Sequence, residues 1–242
     1  MSGHSKWSTI KHQKGANDAK RGAIFTKLGN AITISVREGG GGDPDFNFKL
    51  RLMIDKARAA NMPKENIQRA IDRGLSKGDG VVLENVVYEG FTPYGVAVLV
   101  DVVTDNKNRA SGEIRILFTK AGGSLGGSGS VSYLFKKLGE IKIEKNNLTS
   151  DELMEKAMNA GAQDISDSGS HYFVYTTPET LHQVRMALES SGLTISSAAL
   201  VYFPNKETLI NIDDQAKAEQ VLNFLESLEE LDDVHNVYSN LA

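Results

Sequence analysis

The chain has no cysteine among its 242 residues. Disulfide bridges, thiolate nucleophiles and cysteine-based zinc sites are therefore excluded, and the composition suits a reducing compartment such as the cytoplasm. Histidine is scarce: the five, at positions 4, 12, 171, 182 and 235, show no ligand spacing, so no metal site is expected. No stretch approaches the roughly 18 uninterrupted apolar residues of a membrane-spanning helix, and the first residues lack the apolar core of a secretory signal. The first 16 residues hold three lysines, two histidines and no arginine, which disfavours a mitochondrial leader. A cytoplasmic protein without a membrane partner is expected.

Chemical constellations are also missing. No nucleophile, base and acid stand out as a set, and runs such as Glu229-Glu230 and Asp232-Asp233 read as solvated faces or helix-end signals. Gly122, Gly123, Gly126, Gly127 and Gly129 invite a phosphate-loop reading that fails: Ser128 and Gly129 follow Gly127, with no lysine to reach a phosphate. A dinucleotide fingerprint would need a strand before the glycines, whereas a helical pattern precedes them. The loop is expected to serve as a connector or a backbone contact surface. No cofactor, small-molecule substrate or enzymatic activity is expected.

What is present is charge, unevenly placed. Residues 1–80 carry 15 of the 27 lysines and arginines against 8 of the 31 acids, a net +7, while residues 81–242 carry a net −11. Attraction to a phosphate backbone is local and screened over roughly 10 Å, so the basic head matters more than the acidic total. Residues 1–37 hold seven cations and one acid, Asp18. Lys20 and Lys27 share a helix face, and the following helix repeats the seven-residue spacing with Lys49 and Lys56 and with Arg51 and Arg58. Trp7, the only tryptophan, lies between Lys6 and Lys11 in a polar arm. It could stack on an unpaired base or anchor the arm to the protein.

The order of elements follows from periodicity. After a basic arm over residues 1–16, Ile24, Phe25, Leu28, Ile32 and Val36 predict a first helix starting from Asn17 and ending at the Gly39–Gly42 run. Phe46, Leu50, Met53, Ile54 and Ala57 predict a second, ended by Pro63, and Ile67, Ala70 and Ile71 a third, stopped by Gly74. Residues 74–81 read as a polar, glycine-rich boundary. Beyond it come two strands, Val86–Tyr88 and Val96–Val103, joined by a turn at Thr92-Pro93-Tyr94, then a helix from near Asn108. From Gly139 the order is strand, helix, strand, strand, helix, strand, the βαββαβ order of ferredoxin-like folds. Its first helix opens with the capping box Thr149–Glu152. A strand over 208–212, a helix over 214–228 capped by Asp213 and a strand over 233–238 complete the ββα begun earlier. The expected fold class is α+β: an arm and helical bundle over 1–80, an α+β domain from 81–133 plus 205–242, and an inserted ferredoxin-like domain over 134–204.

At Gly3–Trp7, Ile10-Lys11-His12, Asp18–Arg21 and Phe25-Thr26-Lys27 the chain closely resembles the YebC family, which includes mitochondrial translational activators of cytochrome oxidase. Met62-Pro63, Asn66-Ile67, Tyr88-Glu89-Gly90 and the Gly122–Ser130 loop agree, so the resemblance runs end to end. It implies the same three-part fold and a non-enzymatic regulator of gene expression, acting on DNA in transcription or on the ribosome in translation. Two positions depart: Ala23 stands where many members carry lysine, and Gln13 where many carry arginine. The resulting expectation is nucleic-acid binding, to DNA or ribosomal RNA, through Lys6, Lys11, Lys14, Lys20, Arg21 and Lys27 on phosphates, with Trp7 and His12 in closer contact. No helix-turn-helix with base-reading side chains is evident, which favours RNA or shape-guided binding. The alternative is a protein-interaction scaffold built on the two α+β domains.

Overall fold

The computed structural model describes residues 21–39, 41–76, 83–146 and 148–242. Three helices come first: α1 (Arg21–Glu38), α2 (Phe48–Ala59) and α3 (Lys64–Leu75). Their apolar stripes meet in one core of Leu28, Ile32 and Val36 with Leu50, Ile54, Ala57, Ile67 and Ile71. Asn47 organises the α1–α2 connection from a buried position. Its Oδ1 accepts from Leu50 N at 3.0 Å, capping α2, while its Nδ2 donates to the carbonyls of Ser35 and Gly41, each at 2.8 Å. The start of the first helix, residues 17–20, and most of the 74–81 boundary lie outside the described residues.

Gly74 does not stop the third helix, which runs on to Leu75. A Cβ at Gly74 would lie 2.6 Å from Val36 Cβ and 2.9 Å from the Thr33 carbonyl oxygen. The glycine therefore permits close approach of α3 to α1, a reason invisible to helix-end statistics.

The next part is a four-stranded antiparallel sheet of order β3-β1-β2-β8, from β1 (Glu84–Phe91), β2 (Ala97–Thr104), β3 (Ser124–Leu125) and β8 (Val234–Ser239). The expected hairpin is there, pairing Glu84 with Thr104 through to Phe91 with Ala97 around a turn that holds Gly95 at φ 77°. Central β2 is almost wholly buried, as its mainly apolar sequence, interrupted by Asp101, requires. Helices α4 (Lys107–Lys120) and α7 (Gln215–Glu230) cover one face, with Phe118 and Phe224 edge to face at 4.9 Å. Asp214, not Asp213, caps α7, accepting from Ala216 N at 3.0 Å and Lys217 N at 3.2 Å. The strand expected over 208–212 is not formed: a short 3₁₀ turn occupies Lys206–Thr208, and Ile210 makes one isolated parallel bridge to Leu241. Ile210 and Ile212 alternate as a strand would but pack against the α4–α7 side of the core instead.

The helix α4 also carries a glycine, Gly112, around which an added Cβ would meet nothing within 4 Å. There the helix bears only the entropic cost of glycine. Gly112→Ala should raise unfolding free energy by about 0.5–1 kcal/mol, read as a higher urea midpoint at unchanged slope.

The second sheet has order β5-β6-β4-β7, from β4 (Phe135–Glu144), β5 (Asp164–Asp167), β6 (His171–Thr176) and β7 (Ile195–Pro204). Helices α5 (Ser150–Ala160) and α6 (Leu181–Ser190) complete the βαββαβ order. The capping box forms as read, Thr149 and Glu152 each satisfying the other's backbone N–H, and Gly161 closes α5 at φ 92°. Both ends of this unit join the first sheet's chain, so the first sheet draws strands from either side of the second. The helical unit docks on the second sheet's unit: Leu52 of α2 enters its core, and Asp55 receives Arg185 Nη1 of α6 at 2.8 Å.

Candidate nucleic-acid interface

Of the residues singled out for phosphate contact, Lys6, Trp7, Lys11, His12, Lys14 and Lys20 lie outside the described residues, and Arg21 opens α1. Lys27 is half-buried, and its Nζ donates to the carbonyl of Glu229 at 2.7 Å. A cation at the C-terminal end of α7 is favoured by the partial negative charge of the last carbonyls. This bond pins the N-terminal half of α1 beside the end of α7.

The cationic rows of α2 are engaged within the protein. Lys49 pairs with Glu38 at 3.1 Å, Arg51 donates to the Pro44 carbonyl at 2.9 Å and pairs with Asp45 at 3.2 Å, and Arg58 stands 3.8 Å from Asp55. Sequence periodicity gave no sign of these partners, because most lie in the loop before the helix or on the preceding helix.

A different cationic cluster stands across α1 and α3, which the sequence reading missed. Arg37 Nη2 donates to the Arg73 carbonyl at 3.4 Å, while Arg73 donates through Nε to Thr33 Oγ1 and through Nη2 to Asn30 Oδ1, each at 2.9 Å. Burial, and then repulsion from the neighbouring Arg37 guanidinium, lower the Arg73 pKa from its ordinary value. Exposed Arg69 lies one turn away and donates to Asn66 and to the Glu65 carbonyl. Among the described residues, neither Arg69 nor Arg73 forms an ion pair with a carboxylate. Arg73 is thus held by neutral oxygens beside a second guanidinium.

The glycine loop is organised from inside. Buried Glu89 of β1 accepts three backbone bonds: Gly129 N to Oε1 at 2.8 Å, and Val131 N and Ser132 N to Oε2 at 2.7 and 2.9 Å. The Glu89 carbonyl takes a fourth, from Gly126 N at 2.7 Å. Burial alone would raise the Glu89 pKa, yet the converging N–H groups lower it further, so it rests below the usual glutamate value. Gly122 and Gly123 donate to the carbonyls of Thr119 and Phe118 at 3.0 and 2.9 Å. Successive backbone N–H groups of this kind make an anion nest, and here the protein's own carboxylate fills it. Among the five glycines, Gly127 and Gly129 have open space where a Cβ would stand, and Gly122 and Gly129 adopt φ of 76° and 85°. Segment Ser124–Leu125, read as loop, adds a short edge strand to β1.

Among the described residues no helix is long and apolar enough to cross a membrane, and no three histidine, aspartate or glutamate side chains are grouped to hold a metal ion.

Comparison with known proteins gives consistent matches over the whole chain. A family model described as the TACO1/YebC protein N-terminal domain matches residues 5–77, and one described as the TACO1/YebC second and third domain matches residues 83–241. A protein of Rubrobacter xylanophilus named "probable transcriptional regulatory protein" is 50% identical over 241 residues, covering 99% of this chain and 95% of its own. One of the same name from Persephonella marina is 48% identical with the same coverage. A crystal structure of a conserved hypothetical protein from Aquifex aeolicus superimposes with a TM-score of 0.90 at 44% identity, covering 98% of this chain and 97% of that one.

Proposed function

Because the chain belongs to the TACO1/YebC family, whose relatives carry the name of transcriptional regulators, we propose that it is a non-enzymatic regulator that binds the phosphate backbone of a nucleic acid through its basic head. The observation that carries this reading is charge segregation: a net +7 over residues 1–80 against −11 over the rest. Arg69 and Arg73, which form no ion pair among the described residues, support it by adding cations on α3. Lys6, Lys11, Lys14, Lys20 and Arg21 supply phosphate contacts, Trp7 and His12 the closer ones, and Lys27 orients the helix from which the arm departs. Shape rather than base sequence guides the contact, which favours RNA and is compatible with a ribosome-associated translation factor. The acidic body would repel polyanions from the remaining surface.

Fluorescence anisotropy with a labelled RNA hairpin and a DNA duplex of equal length, at several salt concentrations, tests the reading. Replacing Lys20 and Arg21 by alanine should weaken binding about five- to tenfold and reduce the salt slope by about 2. Equal affinity of the double variant would remove these residues from the interface. Salt-independent binding of the unaltered protein would overturn the phosphate reading altogether, in favour of a protein scaffold.

A further inference from the structure

The acidic body contains one stretch of opposite character. Residues 114–139 hold Arg115, Lys120, Lys136 and Lys137 and no aspartate or glutamate, which leaves a net −15 on the rest of residues 81–242. Several cations elsewhere in the body are matched, as Arg109 is by Asp105 and Asp233 and Lys145 by Asp167. Arg115, Lys120 and Lys136 are exposed, and among the described residues none of them forms an ion pair. The stretch is a local break in a field that otherwise repels polyanions.

Within it stands Tyr133, 69% exposed. The surrounding bonds make that exposure a fixed feature of the fold. Val131 before it is buried, with its N–H on Glu89 Oε2 at 2.7 Å, and Phe135 after it is buried in the same core. The Tyr133 carbonyl accepts from Asn205 Nδ2 at 3.2 Å, and the Leu134 carbonyl accepts from Asn205 N at 2.9 Å. The backbone is thus held from both sides, while the ring meets no other ring among the described residues. The same clasp brings exposed Lys206, the residue after Asn205, beside the tyrosine. Lys136, near the start of β4, is three residues from Tyr133, a reach of at most about 10 Å. Lys137 lies over the Tyr202 ring at 5.5 Å. Glu207 offsets one of the lysines at 136, 137 and 206, and Glu89 is buried among backbone donors, so the patch stays positive.

The glycine loop adds donors to the cations and the ring. Residues 126–129 are all exposed and carry no side chain larger than that of Ser128. Glu89 takes the N–H groups of Gly126, Gly129, Val131 and Ser132, but those of Gly127 and Ser128 have no acceptor among the described residues. An added Cβ at Gly127 would meet nothing within 4 Å, so a ligand can approach this backbone closely. An apolar pocket on a partner would use the ring and leave the donors idle; an acidic peptide would use the charges and leave the ring idle. A phosphate next to an unpaired base uses all three.

We propose that this patch binds single-stranded nucleic acid. Tyr133 stacks on an unpaired base, Lys136 and Lys206 meet the flanking phosphates, and the Gly127 and Ser128 N–H groups donate to a phosphate oxygen. The inference rests on the reading of the chain as a nucleic-acid-binding regulator and gives it a second contact, on the body. A strand that reaches both head and body is then held more tightly than one that reaches either alone.

Anisotropy titrations of the full-length protein with a labelled oligouridylate of about 12 nucleotides, and with an RNA duplex of the same length, test this. Tyr133→Ala should weaken the single strand about five- to tenfold and the duplex less than about twofold, because duplex bases are already stacked. Tyr133→Phe keeps a ring and should stay within about twofold of the unaltered protein. Lys136→Gln combined with Lys206→Gln should reduce the single-strand salt slope by about 1.4. Gly127→Leu, whose side chain finds open space in the folded protein, should cover the bare tip and weaken the strand about fivefold. A 5-iodouracil in the strand should crosslink to Tyr133 on irradiation, read by mass spectrometry. Unchanged single-strand affinity in the Tyr133→Ala and lysine variants, equal losses on strand and duplex, equal losses in Tyr133→Phe and Tyr133→Ala, or crosslinks confined to other residues would each overturn the proposal. So would an oligoglutamate that displaces the strand as well as unlabelled oligouridylate does, since charge alone would then suffice. If these variants bind normally while replacing Lys20 and Arg21 by alanine weakens the strand, this site fails and the reading of the head stands; salt-independent binding throughout would overturn both.

Discussion

Glu89→Ala should lower the unfolding free energy by about 3–5 kcal/mol, the largest single-residue loss expected from a polar side chain in this protein. The carboxylate is 5% exposed and is the common acceptor for Gly129, Val131 and Ser132. Its removal leaves three backbone donors in a segment that also carries Val131 and Phe135 into the core between the sheets. Hydrogen exchange at Val131 and Ser132 should accelerate more than the global loss of stability accounts for, because the loop loses its anchor before the sheets separate. Glu89→Gln removes the charge and also turns one of the two accepting oxygens into an NH2 donor that faces a backbone N–H. It keeps the bonds to one oxygen only and should cost less than alanine but remain clearly destabilising. The pH dependence follows from the same bonds. The folded-state pKa of Glu89 lies below its unfolded value of about 4.3, so its stabilisation is fully present above that value and is lost as pH falls through the lower, folded one. Urea midpoints measured from pH 7 down to pH 3 should therefore fall more steeply for the unaltered protein than for Glu89→Gln. Parallel curves would show that the carboxylate carries no such linkage.

Gly74→Ala should be destabilising by about 2 kcal/mol although alanine is the better helix former. The added methyl would meet Val36 Cβ at 2.6 Å and the Thr33 carbonyl at 2.9 Å, and neither atom is the end of a flexible side chain that could swing away. Overpacking of about 1–3 kcal/mol outweighs a propensity gain of up to about 1 kcal/mol, particularly because Thr33 also receives Arg73 and donates to the Ala70 carbonyl. The same substitution at Gly112, where space is open, should have the opposite sign. A stabilised Gly74→Ala would mean that α1 and α3 can separate freely, and the Arg37–Arg73 pairing would then be loose as well. Denaturation midpoints of the two variants, compared directly, decide it.

Local signals in the chain were read correctly where the physics is local. The capping box at Thr149 and Glu152, the Pro63 boundary, the mainly apolar β2 and the βαββαβ order each depend on residues within a few positions of one another. Local pattern and structure part where a distant partner decides. Gly74 looked like a helix stop because the packing of Val36 against it is set 38 positions away. Asp213 and Asp214 are chemically equal as caps, and the path of the chain into α7 selects the second. Ile210 and Ile212 have strand alternation, but the neighbouring edge offers a single bridge to Leu241. For the interface, net charge was legible and its internal partners were not: Lys27 on Glu229, Lys49 on Glu38 and Arg73 beside Arg37 are tertiary facts. Likewise the glycine run announced a turn-rich segment, whereas the carboxylate that fills it comes from a strand 40 residues earlier.

The pairing of β2 with β8 joins Asp101 to Asn236 across almost the whole second half of the chain. During vectorial synthesis every strand of the second sheet, ending at Pro204, has been made before β8 exists. The ferredoxin-like unit can therefore fold while the first sheet still lacks its closing edge. Until β8 emerges, the mainly apolar strand Ala97–Thr104 presents unpaired backbone groups on one side, the kind of edge through which chains aggregate. Strand β8 thus acts as a completion latch: a chain stopped short of Val234 leaves one edge of its most apolar strand unpaired.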